Sequence, residues 1–447
     1  VLVVVLRIIK VEVFGMKGIE KPIVFQFLND TIDFVKVQEE SSLKAIYGLN
    51  GSGKSSFITA IDIYKRICSQ GSYLVQESTI KTLDKLINKK TKRFGIKIYF
   101  LETVDRLVYC HELIVNNETS KPFIEREKIS RIMGKTITSK VVDIIELESG
   151  QLTVIAEKNA LSEVDRYLYD SMNKLNGYTS FVSLFYDVNF VNSLSPLLGP
   201  DLTEKDVFKH PVFLALLTAR VFTFYLFVFM GRDDLHEEMD SVTYEIFARY
   251  FQDKMSENPI VCGDRIIPKN LIEAYERQVL KMTRFIRLFK PELQRIEVEK
   301  KEDVNYFRCH LTLVYDGFSV DYDYESTGLK NMMSIFSCLD AAASGSIAFI
   351  DEMDANMNEV YLSKLCEFFT NHSKGQLCFT THNTGPMEIL KKKKHGIDFI
   401  NINQENVPWI RNGNYSPSKM YKEGFVPGIP FNVEDFDFAD VFSDEEV

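Results

Sequence analysis

The stretch Gly48-Leu-Asn-Gly-Ser-Gly-Lys-Ser-Ser56 follows the apolar run Leu43–Tyr47 and leads into a helix that starts near Lys54. Glycines at 48, 51 and 53 let the backbone turn sharply and aim its N–H groups at one point. The spacing satisfies G-x4-G-K-[ST], in which the lysine bridges terminal phosphates and the next hydroxyl ligates Mg²⁺. The helix adds the positive end of its dipole. The candidate phosphate-binding set is Asn50, Gly51, Gly53, Lys54, Ser55 and Ser56, with Ser55 also a metal ligand. The bland alternative for this pattern is a flexible turn, so the remainder of the chain has to decide.

The chain has 447 residues, enough for two or three modules, with 45% apolar and 26% charged residues, as in soluble globular proteins. A net charge of -10 argues against a protein that coats nucleic acid nonspecifically, while leaving room for a local basic groove. The cysteines at 68, 110, 262, 309, 338, 366 and 378 form no Cys-x-x-Cys pair. That suits reduced thiols in the cytoplasm better than disulfides or a zinc site. The opening Val1–Leu6 has neither a basic region nor a small-residue cleavage site, so no signal peptide is expected. Pro211–Met230 is apolar and long enough to span a bilayer. Arg220 at its centre and the lack of a second span favour a helix buried in a helical subdomain or an oligomer interface.

Residues 7–60 read as strand, loop, strand, phosphate loop and helix. Phe94–Phe100 and Leu107–Val115 alternate apolar and polar residues around a turn and predict a hairpin. Ala160–Asn176, Phe208–Met230, Met239–Ser256 and Lys269–Phe289 carry apolar residues at helical spacing without sustained heptads. Strand character returns at Arg295–Val298, Phe307–Tyr315 and Ser319–Tyr324. The expected organisation is an N-terminal lobe (1–155), a helical insertion serving a partner or oligomer interface (156–295), a C-terminal lobe (296–405) and a tail (406–447). The tail from Glu434 onward is acidic and aromatic, a candidate docking strip.

Three further motifs carry chemistry. Ser346-Ile-Ala-Phe-Ile350 has the composition of a buried parallel strand and ends in Asp351-Glu352. A carboxylate at such a tip can hold Mg²⁺ opposite a phosphate loop, and a second can deprotonate water. An acidic helix start is the bland reading. Leu377-Cys-Phe-Thr-Thr-His-Asn383 places His382 after another apolar strand, where it could sense a γ-phosphate. Glu325-Ser-Thr-Gly-Leu-Lys-Asn331 precedes an apolar helix from Met332 to Ala343. Ser326 and Gly328 offer either an anion site or a plain N-cap.

Phosphate loop, Ser-x-Gly helix start, Asp-Glu strand and His strand occur in an order that resembles the ABC-type ATPase heads. That family includes the structural-maintenance-of-chromosomes proteins and the OLD-type ATPases. The resemblance covers 7–60 and about 300–402, and leaves the insertion unmatched. It implies an α/β fold, an ABC-type P-loop head with a mixed sheet flanked by helices, and the cofactors ATP and Mg²⁺. It also implies roles. Lys54 and Ser55 would be the Walker A lysine and metal serine, Asp351 the Walker B metal ligand, Glu352 the catalytic base and His382 the switch histidine. Ser326 and Gly328 would form the signature that contacts ATP on a second subunit, with Asp354 near that interface, giving a homodimer or higher oligomer around sandwiched nucleotide. The chain departs from transporters: "ESTGLKN" is not Leu-Ser-Gly-Gly-Gln, "DEMDANMN" lacks their proline, and Gln70 and Gln76 are weak Q-loop candidates. These departures point towards OLD-like ATPases of bacterial defence.

Several OLD-type proteins carry a nuclease domain after the ATPase. Here the segment beyond Ile402 is short, and Asp435-Phe-Asp437 reads as a solvated acidic tail. Glu299-Lys300-Lys301 only faintly echoes a nuclease motif. Lys89–Arg93 and Lys391–Lys394 could touch nucleic acid, but solvated helix ends are the favoured reading. The outline resembles the stand-alone ATPase subunits of two-gene abortive-infection and PARIS-type systems. It implies a scaffold and sensor that controls a separate effector, a nuclease in such systems. The alternative is a DNA-repair or chromosome-maintenance ATPase acting directly on DNA, and a membrane transporter subunit is disfavoured.

Overall fold

In a computed structural model of the chain, the described residues are 6–155, 162–198, 210–230, 265–355, 357–409 and 416–428. Met239–Ser256 and the tail with Asp435 and Asp437 lie outside them. The architecture is mixed α/β, as expected, with three sheets flanked by helices.

The first sheet is antiparallel. It comprises β1 (Leu6–Phe14), β2 (Ile23–Gln26), β4 (Arg93–Glu102), β5 (Leu107–Asn116), β6 (Phe123–Ile132), β7 (Val141–Glu148) and β8 (Gln151–Ile155), in the order β2-β1-β4-β5-β6-β7-β8. The predicted hairpin is β4–β5, with Glu102 opposite Leu107.

The second sheet holds the motifs. Its strands are β3 (Leu43–Gly48), β9 (Leu226–Phe229), β14 (Ile347–Ile350), β15 (Gln376–Thr380), β16 (Ile397–Ile400) and β17 (Asn406–Pro408), in the order β17-β16-β3-β15-β14-β9. All neighbours are parallel except β16–β17. Every residue of β3, β14, β15 and β16 is buried, because helices and the first sheet cover both faces. One core joins β1, β4 and β5 to the helix Lys54–Ser69 and to Ile46, Phe349 and Cys378. A second lies on the opposite face beneath the helices Thr327–Ser344, Glu359–His372, Gly385–Leu390 and Pro417–Lys422.

The third sheet is β10 (Arg265–Pro268), β11 (Arg295–Glu302), β12 (Tyr306–Val314) and β13 (Ser319–Asp321), all antiparallel. It packs on the helix Ile272–Ile286 and the start of Thr327–Ser344.

Within the segment expected to be helical over 208–230, the described residues 210–230 differ from that expectation. The helix Pro211–Phe224 stops, and Leu226–Phe229 becomes β9 at the edge of the second sheet, in register with Ile347–Ile350. A fully buried strand lacks a period-two pattern, so an apolar run cannot distinguish it from a buried helix. Arg220 lies 1% exposed, its guanidinium facing the rings of Tyr186 and Phe224. Among the described residues no helix is long and apolar enough to cross a membrane.

Two polar joints fix the sheets. Lys44 on β3 and Asp398 on β16 form a 2.6 Å ion pair, each side chain 2% exposed. The Gln376 side chain clamps β1 at one residue, accepting from the Ile8 N–H (2.6 Å) and donating to the Ile8 carbonyl (3.0 Å).

Candidate functional site

The phosphate loop leaves β3 at its C-terminal tip and enters the helix Lys54–Ser69. Gly53 caps that helix at φ 114° and Gly51 turns at φ 79°, conformations that a side chain would strain. Nothing lies within 4 Å of where a Cβ on Gly51 would sit, and Asn50 beside it is exposed. No side chain caps this helix, so its first N–H groups remain open to an anion. Ser52 Oγ is buried and without a partner among the described residues. Ser55 is half-buried and Ser56 buried. An anionic phosphate chain fits this donor set.

Lys54 is 6% exposed and donates to the carbonyls of Gly48 (2.8 Å) and Leu49 (3.1 Å). Burial lowers its pKa, while Asp351, Glu352 and Asp354 pull the other way. All three carboxylates therefore lie within its field.

The strand order explains that convergence. β15 lies between β3 and β14, so its tip separates the phosphate loop from the acidic pair. Thr380, the last residue of β15, donates through Oγ1 to Asp351 Oδ1 at 2.6 Å and accepts from the Glu352 N–H at 2.8 Å. The Asp351 N–H is held by the Phe229 carbonyl of β9 at 2.8 Å. Asp351 is 7% exposed, whereas Glu352 projects outward from a backbone at φ 49°. Such a conformation in a non-glycine residue costs energy.

Asp354 Oδ2 accepts from the N–H groups of His382 and Asn383, each at 3.1 Å, tying the loop after β14 to the loop after β15. His382 is exposed. Partial burial and then the Lys54 charge lower its pKa, against the opposing pull of Asp354, Glu352 and Asp351. Its imidazole therefore favours the neutral form, and any stability it lends is present above the ordinary histidine pKa and declines as pH falls below it.

Ser326 and Gly328 belong to another element, the start of the helix Thr327–Ser344 that packs on the third sheet. Ser326 caps the helix Thr327–Ser344, accepting from the Leu329 N–H at 3.3 Å. Its neighbour Glu325 bonds the Tyr315 hydroxyl and lies 3.8 Å from Lys290, at the third sheet. Among the described residues no hydrogen bond or ion pair links Ser326 or Gly328 to the phosphate loop. Gln70 ends the helix Lys54–Ser69 and Gln76 starts Glu77–Leu86, both beyond the far end of that helix from the loop.

Sequence reading missed three supports: Thr380, the Phe229 carbonyl and Tyr421. Thr380 stood inside the quoted motif, but no spacing shows that its hydroxyl serves both acidic residues. Tyr421 arrives from the helix Pro417–Lys422, stacks on Phe399 at 5.4 Å and lies 6.0 Å from the Tyr47 ring, beneath the start of the loop. The faint Glu299-Lys300-Lys301 motif is part of β11, where Glu299 accepts from Thr312 (3.0 Å) and Lys300 pairs with Glu276 (2.6 Å).

A scan of family profiles finds no match, and neither does a search of curated proteins. Among solved structures, the chain is similar to the Smc head domain with an extended coiled coil, bound to the C-terminal domain of ScpA, from Pyrococcus furiosus. Identity is 13% over 90% of this chain and 96% of that one, with a TM-score of 0.37. The SMC head domain from Thermotoga maritima matches at 13% identity over 90% and 99%, TM-score 0.33. The recombination mediator protein RecF-ATPrS of the RecFOR pathway matches at 13% over 91% and 99%, TM-score 0.39. Likeness at that level decides nothing about function.

Proposed function

We propose that this chain is an ABC-type ATPase that binds ATP with Mg²⁺ at Gly48–Ser56 and hydrolyses it. The observation that carries the reading is the Asp351–Glu352 pair, held by one threonine hydroxyl at the strand tip whose field reaches Lys54. Asn50, Gly51, Gly53, Lys54 and Ser56 would hold the phosphates, and Ser55 and Asp351 the metal. Bound Mg²⁺–ATP supplies an activated phosphoanhydride whose charge the ion partly neutralises. Glu352 accepts a proton from the attacking water, and neutral His382 donates a hydrogen bond towards the terminal phosphate. Asp354 positions the His382 backbone.

In this proposal two heads close around nucleotide, with Ser326 and Gly328 serving the partner's site. Among the described residues neither is hydrogen-bonded to the phosphate loop of its own chain, which leaves them available for that role. The ATP-dependent pair then acts as scaffold and sensor for a separate effector, such as a nuclease, in antiphage defence. The alternative, direct action on DNA, draws less support. Lys89 pairs with Asp84, Lys90 with Glu20, Arg93 with Glu125 and Lys391 with Glu388, and Lys393 and Lys394 donate to Ser42 and Asn29, so six of the eight candidate basic groups are engaged within the chain.

ATP binding and turnover by the purified chain test the reading. Lys54→Ala should abolish binding, and Glu352→Gln should bind ATP but turn it over at least about 100-fold more slowly, since general base catalysis is worth about 10²–10⁴. Wild-type turnover in Glu352→Gln would overturn the assignment. ATP turnover raised severalfold by DNA, without any partner protein, would favour the alternative.

A further inference from the structure

A second polar cluster lies inside the first core, on the far part of the helix that begins at Lys54. Cys68 and His111 are 0% exposed and Glu127 is 1% exposed. One ligand atom from each falls within 4.8 Å of the other two, the only such His, Cys, Asp or Glu group among the described residues. Their positions are set by rigid elements. His111 on β5 faces Ile129, and Glu127 on β6 faces Leu113, so the two are diagonal neighbours on one face of the sheet. Cys68 comes from the last turn of the helix that packs over that face.

The surroundings are those of a metal centre. His111 Nδ1 lies 2.7 Å from the Tyr64 hydroxyl, which can accept its N–H and leave Nε2 free as a ligand. Nε2 already points at Glu127 Oε1, 3.2 Å away. Glu127 Oε2 accepts from the Phe181 N–H at 3.0 Å, and Oε1 accepts from the Ser180 hydroxyl. The Phe181 ring stacks on His111, excluding water. Among the described residues Glu127 has no ion-pair partner other than His111, so a cation bound beside it would meet a carboxyl group sealed from water. The Cys68 sulfur hydrogen-bonds with Ser180 and Tyr64 and lies within 4.8 Å of the His111 and Glu127 ligand atoms, so one bound cation could take all three.

We propose that Cys68, His111 and Glu127 form a buried structural zinc site, with the Ser180 oxygen near the fourth position. Thiolate, imidazole and carboxylate together suit Zn²⁺ rather than Mg²⁺ or Ca²⁺. On binding, the Cys68 thiol releases its proton to solvent as the sulfur–metal bond forms. The site is separate from the nucleotide-binding reading and survives its failure.

The test is metal content and cobalt spectroscopy on the full chain. After incubation with Zn²⁺ and exhaustive dialysis, about one equivalent per chain should remain. Co²⁺ in its place should give a thiolate-to-metal charge-transfer band. Cys68→Ser keeps the hydrogen bonds and nearly the volume; it should lose that band and weaken Zn²⁺ by more than the 10–100-fold typical of outer-shell changes, while Tyr64→Phe should weaken it by about that range. Folded wild-type protein that retains no zinc and shows no band would overturn the proposal, as would Zn²⁺ uptake unchanged in Cys68→Ser. Lys54→Ala should leave metal content unchanged.

Discussion

The Thr380 hydroxyl donates to Asp351 and accepts from the N–H of Glu352, so one oxygen sets both the metal-binding carboxylate and the strained backbone of the proposed base. Thr380→Val keeps the shape and removes both bonds. The expected outcome is a stability loss of about 1–3 kcal/mol in denaturant unfolding, because a buried carboxylate loses its donor. ATP turnover should fall by about tenfold or more as Glu352 leaves its position. Thr380→Ser should restore most of both. Turnover unchanged in Thr380→Val would show that Glu352 is positioned by its own loop.

At the scale of elements, β9 ties the segment after Pro211 into the nucleotide sheet, and its last carbonyl holds Asp351. Phe229, 4% exposed, should cost about 3–5 kcal/mol when cut to alanine, with hydrolysis falling further than binding. Equal losses in both would argue that β9 serves stability alone. A second joint lies in the helix Gly385–Leu390, where Glu388 takes bonds from Lys391, Ser416 and Ser418 and anchors the helix bearing Tyr421. Those bonds, that from Lys391 first, hold its pKa at about 2, against an ordinary 4.5. A depressed carboxylate lends stability above its unfolded pKa and loses it as pH falls towards about 2. Acid should therefore loosen the Pro417–Lys422 helix, seen as faster amide exchange at Tyr421, and Glu388→Gln should mimic this at neutral pH. The loop, the acidic strand and the histidine strand were legible because each couples a short apolar run to residues of distinctive chemistry. β9 was hidden because a wholly buried strand has no alternation. β6 to β8 were passed over because sequences such as Glu125-Arg-Glu-Lys128 look solvated until Leu147 and Ile145 on the neighbouring strand give their other face a core. Contacts such as Gln376 to Ile8 leave no local trace at all.

For the whole molecule, the proposed pairing of heads makes a mixing experiment decisive. Chains carrying Lys54→Ala and Gly328→Asp are each inactive if every site takes Lys54 from one chain and Gly328 from the other. Mixed in equal amounts they should recover about a quarter of wild-type turnover, since half the dimers of a symmetric pair hold one intact site. No recovery among verified heterodimers would exclude the shared site. The sheet order carries another consequence. β3, which ends in the phosphate loop, has as its neighbours β15 and β16, with Leu43 beside Leu377 and Ala45 beside Ile397. At a synthesis rate of about 5–20 residues per second, roughly 20–70 seconds pass between the emergence of the loop and that of the strands that flank it. During that interval β3 presents two unpaired edges and a buried-type lysine, Lys44, without its aspartate, Asp398. The nascent chain is thus most prone to aggregation over this stretch, and a ribosome-stalled fragment ending before Gln376 should depend on chaperone holding where one ending after Pro408 does not.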